Sequence, residues 1–424
     1  MELDNGNWFD AARFGLFVHW GHYATAGWEA SWPLVGGVKT LPLGQDVPAA
    51  TYHANAANFA PVAGRAREWV AAAHAAGMRY AIMGSRHHDG YAMWPSGHGG
   101  FGVANAGDVD PVGEFVAACR EFGLKIGLYY SLPDWHHPDY PAFTDRHRPY
   151  VFGTYPAATP DGWQRYMTYV HGQLDELLTR YGTIDILWFD GGWERSEAEW
   201  DTAALEIMIR ARQPAILIND RLPGRGDYAT PEQFIPPQPP AGRWETCLTM
   251  NQSWGFNSSD ETYKSATTLI HTVCEVAGRG GNLLLNIGPD GAGRVPPPQA
   301  DRLAELGEWL ARHGAAIYAT RPGLEAWQFY GPSTRRGTTV YCHLLMRPVA
   351  PIAVRGIPVK HLRGVRALGT ETALHFTVRI PVIDDLMEVD GPGEILIDLP
   401  EAAIDRHATI LVLDFDDEPG SLAA

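Results

Sequence analysis

Short, nearly continuous apolar runs recur between about residue 10 and residue 320 of this sequence. Such runs are typical of parallel strands buried on both faces, because helices cover each side of the sheet. They lie at 14–20, 80–87, 125–131, 185–190, 215–220, 244–249 and 282–288.

Segments with helical periodicity separate the apolar runs, for example at 65–77, 110–123, 163–180 and 299–314. This repeated alternation predicts an α/β fold, a (β/α)8-like barrel of the TIM type. A doubly wound open sheet is the alternative, and it is weakened because no Gly-rich phosphate loop directly follows a strand. A chain of 424 residues exceeds one ordinary compact domain unless that domain is a large barrel.

The pattern changes after about residue 320, where short apolar runs are interrupted by Pro, Gly or Asp and show no helical period. These runs lie at 338–345, 373–378, 394–399 and 408–415. They predict a C-terminal antiparallel β-sandwich. We therefore expect a catalytic barrel over residues 1–322 and a sandwich over residues 323–424.

Composition excludes several classes of partner. A formal net charge of -16 makes nucleic acid and anionic membranes poor partners, because binding phosphate requires clustered Lys and Arg. No run of eighteen apolar residues is present, so no membrane span is expected. The first ten residues contain neither a basic nor an apolar signal-peptide region, which predicts a cytoplasmic protein. The number of subunits stays open, with a homo-oligomer among the options.

The four cysteines lie far apart and form no C-x-x-C pair. This spacing favours buried thiols over a disulfide framework or a zinc site. The chain is also rich in aromatic residues, with 15 Trp, 17 Tyr and 15 Phe, many of them beside His, Asp or Glu. Sugars offer apolar C–H faces and hydroxyl edges, so this combination suits a carbohydrate site, although large cores also use aromatic residues.

Polar residues stand at the end of almost every predicted strand. A barrel builds its active site at the C-terminal ends of its strands, and a purely structural strand does not need such groups there. This agreement indicates an enzyme. The residues are His19-Trp20, His87-His88-Asp89, Tyr129-Tyr130-Ser131, Asp190, Asn219-Asp220-Arg221, Glu245 and Asn286.

The histidines favour hydrogen bonding to hydroxyl groups over metal binding. His19 alone would more often be a satisfied core residue, and adjacent His87 and His88 should point to opposite faces of a strand. His19 and His22 lack the H-x-H spacing that places two imidazoles on one strand face, and no helical H-x-x-x-H supports them. A barrel hydrolase that uses a metal remains an alternative.

Asp190 and Glu232 form the expected pair of catalytic carboxylates. Asp190 ends an apolar strand, where an acid is costly unless it has a function, and Gly191 and Gly192 leave room beside it. Glu232 lies in the loop G-D-Y-A-T-P-E-Q, where a lone glutamate is by default a solvated acid. A retaining glycosidase needs one ionised carboxylate and one protonated carboxyl group about 5–5.5 Å apart.

Seven motifs in order resemble the alpha-L-fucosidases of glycoside hydrolase family 29, from about residue 8 to residue 322 and weakly beyond. They are W-F-D-A-A-R-F-G-L-F-V-H-W-G-H-Y, R-H-H-D-G-Y-A-M-W-P-S, G-L-Y-Y-S-L-P-D-W, L-W-F-D-G-G, I-N-D-R…G-D-Y-A-T-P-E-Q, W-E-T-C-L-T…S-W-G-F and G-G-N-L-L-L-N-I-G-P-D-G-A-G. The resemblance implies a retaining mechanism, a barrel followed by a β-sandwich, and neither a metal nor another cofactor.

The resemblance also implies roles for individual residues. Asp190 occupies the nucleophile's position and Glu232 the acid/base position, with Glu245 as second candidate for the acid/base. Further residues match positions that hold the sugar's hydroxyls, hold the nucleophile or form packing walls: His19, Trp20, His87, His88, Tyr130, Arg221 and Trp254. The implied substrate is a fucosylated oligosaccharide or glycoside.

One position departs from the family pattern. Many members have an acidic residue directly before a Trp in the loop after the first strand, whereas here Ser31 precedes Trp32. Either Glu29 takes the acid's role from a shifted position, or one contact to a hydroxyl is missing. A related glycosidase with altered sugar specificity, or a non-catalytic sugar-binding protein on this scaffold, is therefore the alternative function. A lectin, however, has no reason to retain both carboxylates.

Overall fold

Each of the seven apolar runs of the N-terminal region contains one strand of a single parallel sheet. The computed structural model describes residues 7–36, 45–105, 109–142, 153–370, 372–387 and 391–417. The strands are β1 (Phe14–Val18), β2 (Tyr80–Arg86), β3 (Lys125–Ser131), β4 (Ile186–Asp190), β5 (Leu217–Ile218), β6 (Glu245–Thr249) and β7 (Asn282–Ile287). Their order in the curled sheet is β5-β4-β3-β2-β1-β7-β6. The prediction of a TIM-like barrel is confirmed.

The segment from residue 228 to residue 232 lies between the two edge strands, β5 and β6. Parallel bridges join Asn219 to Tyr228 on one side, and Ala229 to Trp244 and Glu232 to Cys247 on the other. The carbonyl of Pro231 accepts a hydrogen bond from the main-chain N–H of Cys247, but Pro231 has no N–H to donate. This segment fills the eighth position of the barrel with isolated bridges, and it carries Glu232.

Helices cover the outside of the sheet. The N-terminal region contains α1 (Trp8–Ala12), α2 (Ala49–Ala54), α3 (Arg65–Ala75), α4 (Pro111–Phe122), α5 (Pro160–Arg180), α6 (Glu197–Trp200), α7 (Thr202–Arg212), α8 (Ala266–Gly278) and α9 (Pro297–His313). Side chains cap several of them: Asp110 accepts the N–H of Gly113, and Ser265 accepts that of Thr268. Such caps satisfy donors that a helix N-terminus otherwise leaves without partners.

Alternation along the strands separates two cores. In β4, Leu187 and Phe189 pack outward against the helices, whereas Ile186 and Trp188 pack inside the barrel. Since successive side chains point to opposite faces of a sheet, Asp190 follows Ile186 and Trp188 on the inner face. Asp185 precedes the strand, where Lys125 Nζ lies 2.8 Å from its Oδ1 and the Ile126 N–H bonds to its Oδ2.

The C-terminal region contains two antiparallel sheets. Its strands are β8 (Arg321–Pro322), β9 (Ser333–Arg336), β10 (Thr339–Leu344), β11 (Ile352–Ile357), β12 (Leu362–Ala367), β13 (Thr372–Ala373), β14 (Phe376–Arg379), β15 (Gly393–Ile397) and β16 (Thr409–Phe415), with helix α10 (Val382–Leu386). The sheet orders are β13-β12-β16-β10-β9-β8 and β11-β15-β14. The boundary expected from the sequence, between residues 322 and 323, falls directly after β8, which pairs with β9.

All four cysteines are free and buried, as their spacing predicts. Among the helices of the described ranges, none is both long enough and apolar enough to cross a membrane.

Candidate active site

A cavity of about 620 Å³ opens at the C-terminal end of the barrel strands. Its lining combines aromatic walls with carboxylate, imidazole and guanidinium groups, as expected of a small-molecule site. The lining residues are Phe17, His19, Trp32, His87, Tyr129, Trp188, Asp190, Trp193, Arg221, Glu232, Gln233, Cys247, Thr249, Asn251, Gln252, Trp254 and Lys264.

Asp190 lies on the inner wall of this cavity and is held from three directions. Its Oδ1 accepts a hydrogen bond from Arg221 Nη1 at 2.8 Å, and its Oδ2 accepts one from Tyr129 Oη at 2.9 Å. His88 Nε2 lies 3.5 Å from the same Oδ2. Burial by itself would raise the pKa of Asp190, but Arg221 and then His88 outweigh it and hold this pKa below its ordinary value. Asp190 is therefore ionised at neutral pH.

Arg221 connects Asp190 to the second carboxylate. Its Nη2 donates to Glu232 Oε2 at 2.6 Å, and its Nε donates to the hydroxyl of Thr230 at 3.2 Å. The guanidinium carbon lies 4.6 Å from the centroid of the Trp188 ring. A planar guanidinium can make several such contacts at once, so one cation fixes both carboxylates.

Glu232 is positioned by the segment 228–232, which lies between β5 and β6. Gln233, the next residue, has a φ of +61°, and its main-chain N–H bonds to the Cys247 carbonyl on β6. The Gln233 side-chain amide also donates to the Thr249 hydroxyl at 3.2 Å. The Glu232 side chain is 37% exposed, so it lies at the rim of the cavity.

His19 is held as a neutral imidazole. Its Nδ1 lies 2.7 Å from Asn286 Oδ1, and the amide of Asn286 is oriented because its Nδ2 donates to the Trp254 carbonyl. Asn286 therefore accepts from Nδ1–H, which makes His19 Nε2 an acceptor. Burial lowers the pKa of His19 to about 4.

His87 and His88 have different surroundings. His87 lines the cavity, stacks on Tyr129 with ring centroids 5.5 Å apart, and bonds through Nδ1 to the hydroxyl of Ser31. His88 bonds through Nδ1 to the Ser131 hydroxyl at 2.7 Å and turns Nε2 toward Asp190. Burial lowers the pKa of both histidines, that of His88 to about 4.

The expectation that Tyr130 lies at the site is wrong, because Tyr130 faces away from the cavity and Tyr129 lines it instead. The parallel register pairs Tyr129 with inward-facing Trp188, and Tyr130 with outward-facing Phe189. The hydroxyl of Tyr130 consequently bonds to Gln173 on α5 at 3.1 Å, on the helical side of the sheet.

Glu245, the second candidate for the acid/base, is not brought to the cavity. It begins β6 rather than ending it, so it lies at the opposite end of the strand from the site. Its carboxyl group accepts hydrogen bonds from Trp188 Nε1 at 3.1 Å and from the Tyr80 hydroxyl. Burial raises the pKa of Glu245 to about 7, although the hydrogen bonds from Tyr80 and Trp188 favour the carboxylate and limit the rise.

Two further predicted contacts also lie away from the cavity. Trp20 packs against Phe59 and Trp69, with ring centroids 4.9 and 5.0 Å away. Glu29 is buried, and its two oxygens accept the main-chain N–H groups of Trp254 at 2.7 Å and Gly255 at 2.9 Å. Glu29 therefore supports the Trp254 wall from behind, while Ser31 holds His87.

Trp32 and Trp254 line the cavity as expected, but sequence reasoning missed several other residues. Phe17 and Trp188 stand two residues before His19 and Asp190, so period-two alternation was the signal that could have found them. Thr249 is the last residue of β6, so the end of that strand was the signal that could have found it. The other missed residues lie outside the strands, where no local pattern predicts their approach: Trp193, Gln233, Asn251, Gln252 and Lys264.

In the described ranges, no group of three or more His, Cys, Asp or Glu side chains is arranged to hold a metal ion.

Comparisons with known proteins identify the family of this chain. A family profile described as alpha-L-fucosidase matches residues 2–315. The rat tissue alpha-L-fucosidase is 29% identical over 404 residues, which cover 87% of this chain and 83% of the relative. Alpha-L-fucosidase isoenzyme 1 from Paenibacillus thiaminolyticus is 33% identical with a TM-score of 0.84, covering 97% of this chain and 99% of that one.

A second similar structure is a GH29 alpha-L-fucosidase variant from Bacteroides thetaiotaomicron. It was trapped as a covalent intermediate with 2-fluoro-fucosyl fluoride. It is 25% identical with a TM-score of 0.79, and the match covers 96% of this chain and 95% of that one. The sequence resemblance is thus confirmed: this chain is a glycoside hydrolase and belongs to the alpha-L-fucosidase family.

Proposed function

We propose that this chain is a retaining exo-glycosidase that hydrolyses terminal alpha-L-fucosides by double displacement, with Asp190 as nucleophile and Glu232 as acid/base. The observation that carries the proposal is the Arg221 bridge. One guanidinium contacts the buried, ionised Asp190 at 2.8 Å and the partly exposed Glu232 at 2.6 Å across a single cavity. The two carboxylates thus differ in exposure, which suits two different roles.

In the first step, an oxygen of Asp190 attacks the anomeric carbon of the sugar while the bond from that carbon to the leaving oxygen breaks. Glu232 in its protonated form donates its proton to the leaving oxygen. The hydrogen bonds from Arg221 and Tyr129 keep Asp190 ionised and fix its position before the attack. The covalent intermediate formed by the related Bacteroides protein supports this route.

In the second step, a water molecule attacks the anomeric carbon and Glu232 removes its proton, which releases the sugar and regenerates the Asp190 carboxylate. While the ester exists, Asp190 carries no charge. Arg221 then still contacts the Glu232 carboxylate and holds it in place.

The cavity lining fits a 6-deoxy sugar. Phe17, Tyr129 and Trp188 form a contiguous aromatic floor, with centroids between 5.1 and 5.9 Å apart, against which a methyl group can pack. His19 and His87 lie beside it and can bond to ring hydroxyls as neutral imidazoles. An unsubstituted hydroxymethyl group would place a polar oxygen against this apolar floor.

The test is hydrolysis of 4-nitrophenyl alpha-L-fucoside beside the beta-D-fucoside, alpha-L-arabinoside and alpha-D-galactoside, with Asp190→Asn as control. We expect turnover of the alpha-L-fucoside only, and the alpha anomer of fucose as the first product seen by proton NMR. Beta-fucose as first product would overturn the retaining mechanism. Near-normal activity of Asp190→Asn would overturn the assignment of the nucleophile.

A further inference from the structure

The cavity has a buried floor and an exposed rim. The floor contains the nucleophile Asp190 together with Phe17, Tyr129 and Trp188, and all four are buried. At the rim, by contrast, Trp193 is 41% exposed, and the Glu232 side chain is 37% exposed. When the sugar of a substrate contacts Asp190, the rest of that substrate must therefore lie at the rim, beside Trp193 and Glu232.

Trp193 stands on a rigid turn. It lies in a short 3-10 helix (Gly192–Glu194) that directly follows Gly191 at the end of β4. The carbonyl of Gly192 accepts a hydrogen bond from Trp200 Nε1 at 2.8 Å, and the Glu194 carboxylate accepts one from Trp135 Nε1 at 3.0 Å. Both neighbours of Trp193 are thus fixed, which fixes the origin of its side chain as well.

This turn packs closely against the main chain of Arg221. A Cβ atom added to Gly192 would lie 2.2 Å from the main-chain oxygen of Arg221, the residue that binds both carboxylates. Only glycine therefore fits at this position of the turn. A large aromatic side chain that stands on a fixed turn and is exposed at the mouth of a cavity is typical of a ligand contact.

The lining of the same cavity also contains polar side chains. Lys264 donates two hydrogen bonds, to the carbonyls of Thr249 at 2.7 Å and Asn251 at 2.9 Å, and an ammonium group has three donors. Gln252 also lines the cavity, and its main-chain N–H bonds to Asp260, which fixes the main chain from which the Gln252 side chain extends. An apolar ring face and hydrogen-bond donors in one lining match a pyranose ring, with its C–H face and its hydroxyl edge.

We infer that Trp193 is the platform for the leaving group, and that this leaving group is a sugar whose ring stacks on the indole and whose hydroxyls meet Lys264 and Gln252. The inference rests on the proposed function, because it assumes that Glu232 protonates the oxygen that joins the two sugars. Glu232 shares the rim with Trp193, so the protonated oxygen and the next ring lie at the same level.

The test compares two substrates that share the fucosyl group. Alpha-L-fucosyl fluoride has no leaving-group sugar, whereas a panel of fucosyl disaccharides linked to galactose or N-acetylglucosamine has one. We expect Trp193→Ala to lower kcat/KM for the best disaccharide by about tenfold, the equivalent of ~1.4 kcal/mol of lost contact, and to leave the fluoride within about twofold. Trp193→Phe, which keeps an aromatic face, should retain most of the activity on the disaccharide.

Trp327→Ala is the matched control, because Trp327 is an exposed tryptophan of the C-terminal region and is 66% exposed. It should change neither rate. An equal loss on both substrates in Trp193→Ala, or no loss on either, would overturn the inference. Wild-type activity on the fluoride but on no disaccharide would also overturn it. A wild-type protein inactive on all substrates would overturn the proposed function as well, so the two failures are distinguishable.

Discussion

The hydroxyl of Tyr129 donates a hydrogen bond to Oδ2 of Asp190 across 2.9 Å. The adjacent Tyr130 turns its hydroxyl to Gln173 on the other side of the same sheet. The side chains of these two neighbouring tyrosines thus point to opposite faces of β3. This pair allows the contribution of one hydrogen bond to Asp190 to be separated from the contribution of strand packing.

Tyr129→Phe should reduce kcat/KM on an aryl alpha-L-fucoside by roughly tenfold to a hundredfold. A hydrogen bond to a charged group contributes about 1.5–3 kcal/mol, and its loss also favours the protonated form of Asp190. The acid limb of the pH profile of kcat/KM should therefore move to higher pH. The measurement is the pH dependence of the initial rate for the variant and the wild type.

Tyr130→Phe is the matched control, because it removes one hydroxyl on the helical side and leaves the cavity unchanged. We expect its kcat/KM and pH profile to equal those of the wild type, with a loss of about 1 kcal/mol in the free energy of unfolding. If the two variants lost activity equally, the assignment of inner and outer faces in β3 would be wrong.

The same alternation explains how much of this molecule could be predicted from its sequence. Continuous apolar runs identify the strands of a parallel sheet because burial on both faces requires them, and all seven were located in this way. The residue at the end of a run then predicts the site, as for Asp190. A run of apolar residues does not reveal which face is inside, however, and the expectation for Tyr130 rests on the family resemblance alone.

Contacts made by loops were harder to predict. Glu29 is near in sequence to Trp32, which lines the cavity, but its two carboxylate oxygens accept the main-chain N–H groups of Trp254 and Gly255. No local pattern in the sequence predicts a partner so distant in the chain. Trp193 was missed for a related reason. Its exposure results from the rigid turn around Glu194, whose anchors come from other loops.

Replacement of Arg221 should shift the pH dependence of activity. The pKa of Asp190 lies below its ordinary value of 3.8 in spite of burial, and Arg221 is the largest opposing cause. In Arg221→Gln, burial would dominate, the pKa would rise, and the acid limb of kcat/KM would move upward. The measurement is the rate on alpha-L-fucosyl fluoride across the acidic range. An unchanged limb would mean that another group controls the ionisation of Asp190.

Glu245→Gln should change the stability of the protein as a function of pH. The pKa of Glu245 is raised to about 7 from a reference value of 4.5, so the native state binds more protons than the unfolded state between these values. The contribution of Glu245 to the free energy of unfolding is fully present below about pH 4.5 and decreases as pH rises toward 7. The variant lacks this loss, so its stability relative to the wild type should increase over that interval.

The measurement for Glu245 is the urea midpoint of both proteins at several pH values across this interval. The sign of the change is informative in itself. A relative stability that falls with rising pH would mean that the buried carboxylate is favoured by Tyr80 and Trp188 more strongly than burial disfavours it.

Removal of the Glu232 carboxylate should lower the rate of hydrolysis by an amount that depends on the leaving group of the substrate. General acid catalysis contributes about 10²–10⁴-fold, so Glu232→Ala should lose activity of that order on a fucosyl disaccharide and much less on alpha-L-fucosyl fluoride, whose leaving group needs little protonation.

Added azide should attack the glycosyl ester on Asp190 and give alpha-L-fucosyl azide, because the second displacement restores the original configuration. Glu245→Gln is the control, since its side chain lies at the far end of β6 and should form no azide product. Azide rescue in Glu245→Gln, or uniform loss on both substrates in Glu232→Ala, would remove Glu232 from the role of acid/base.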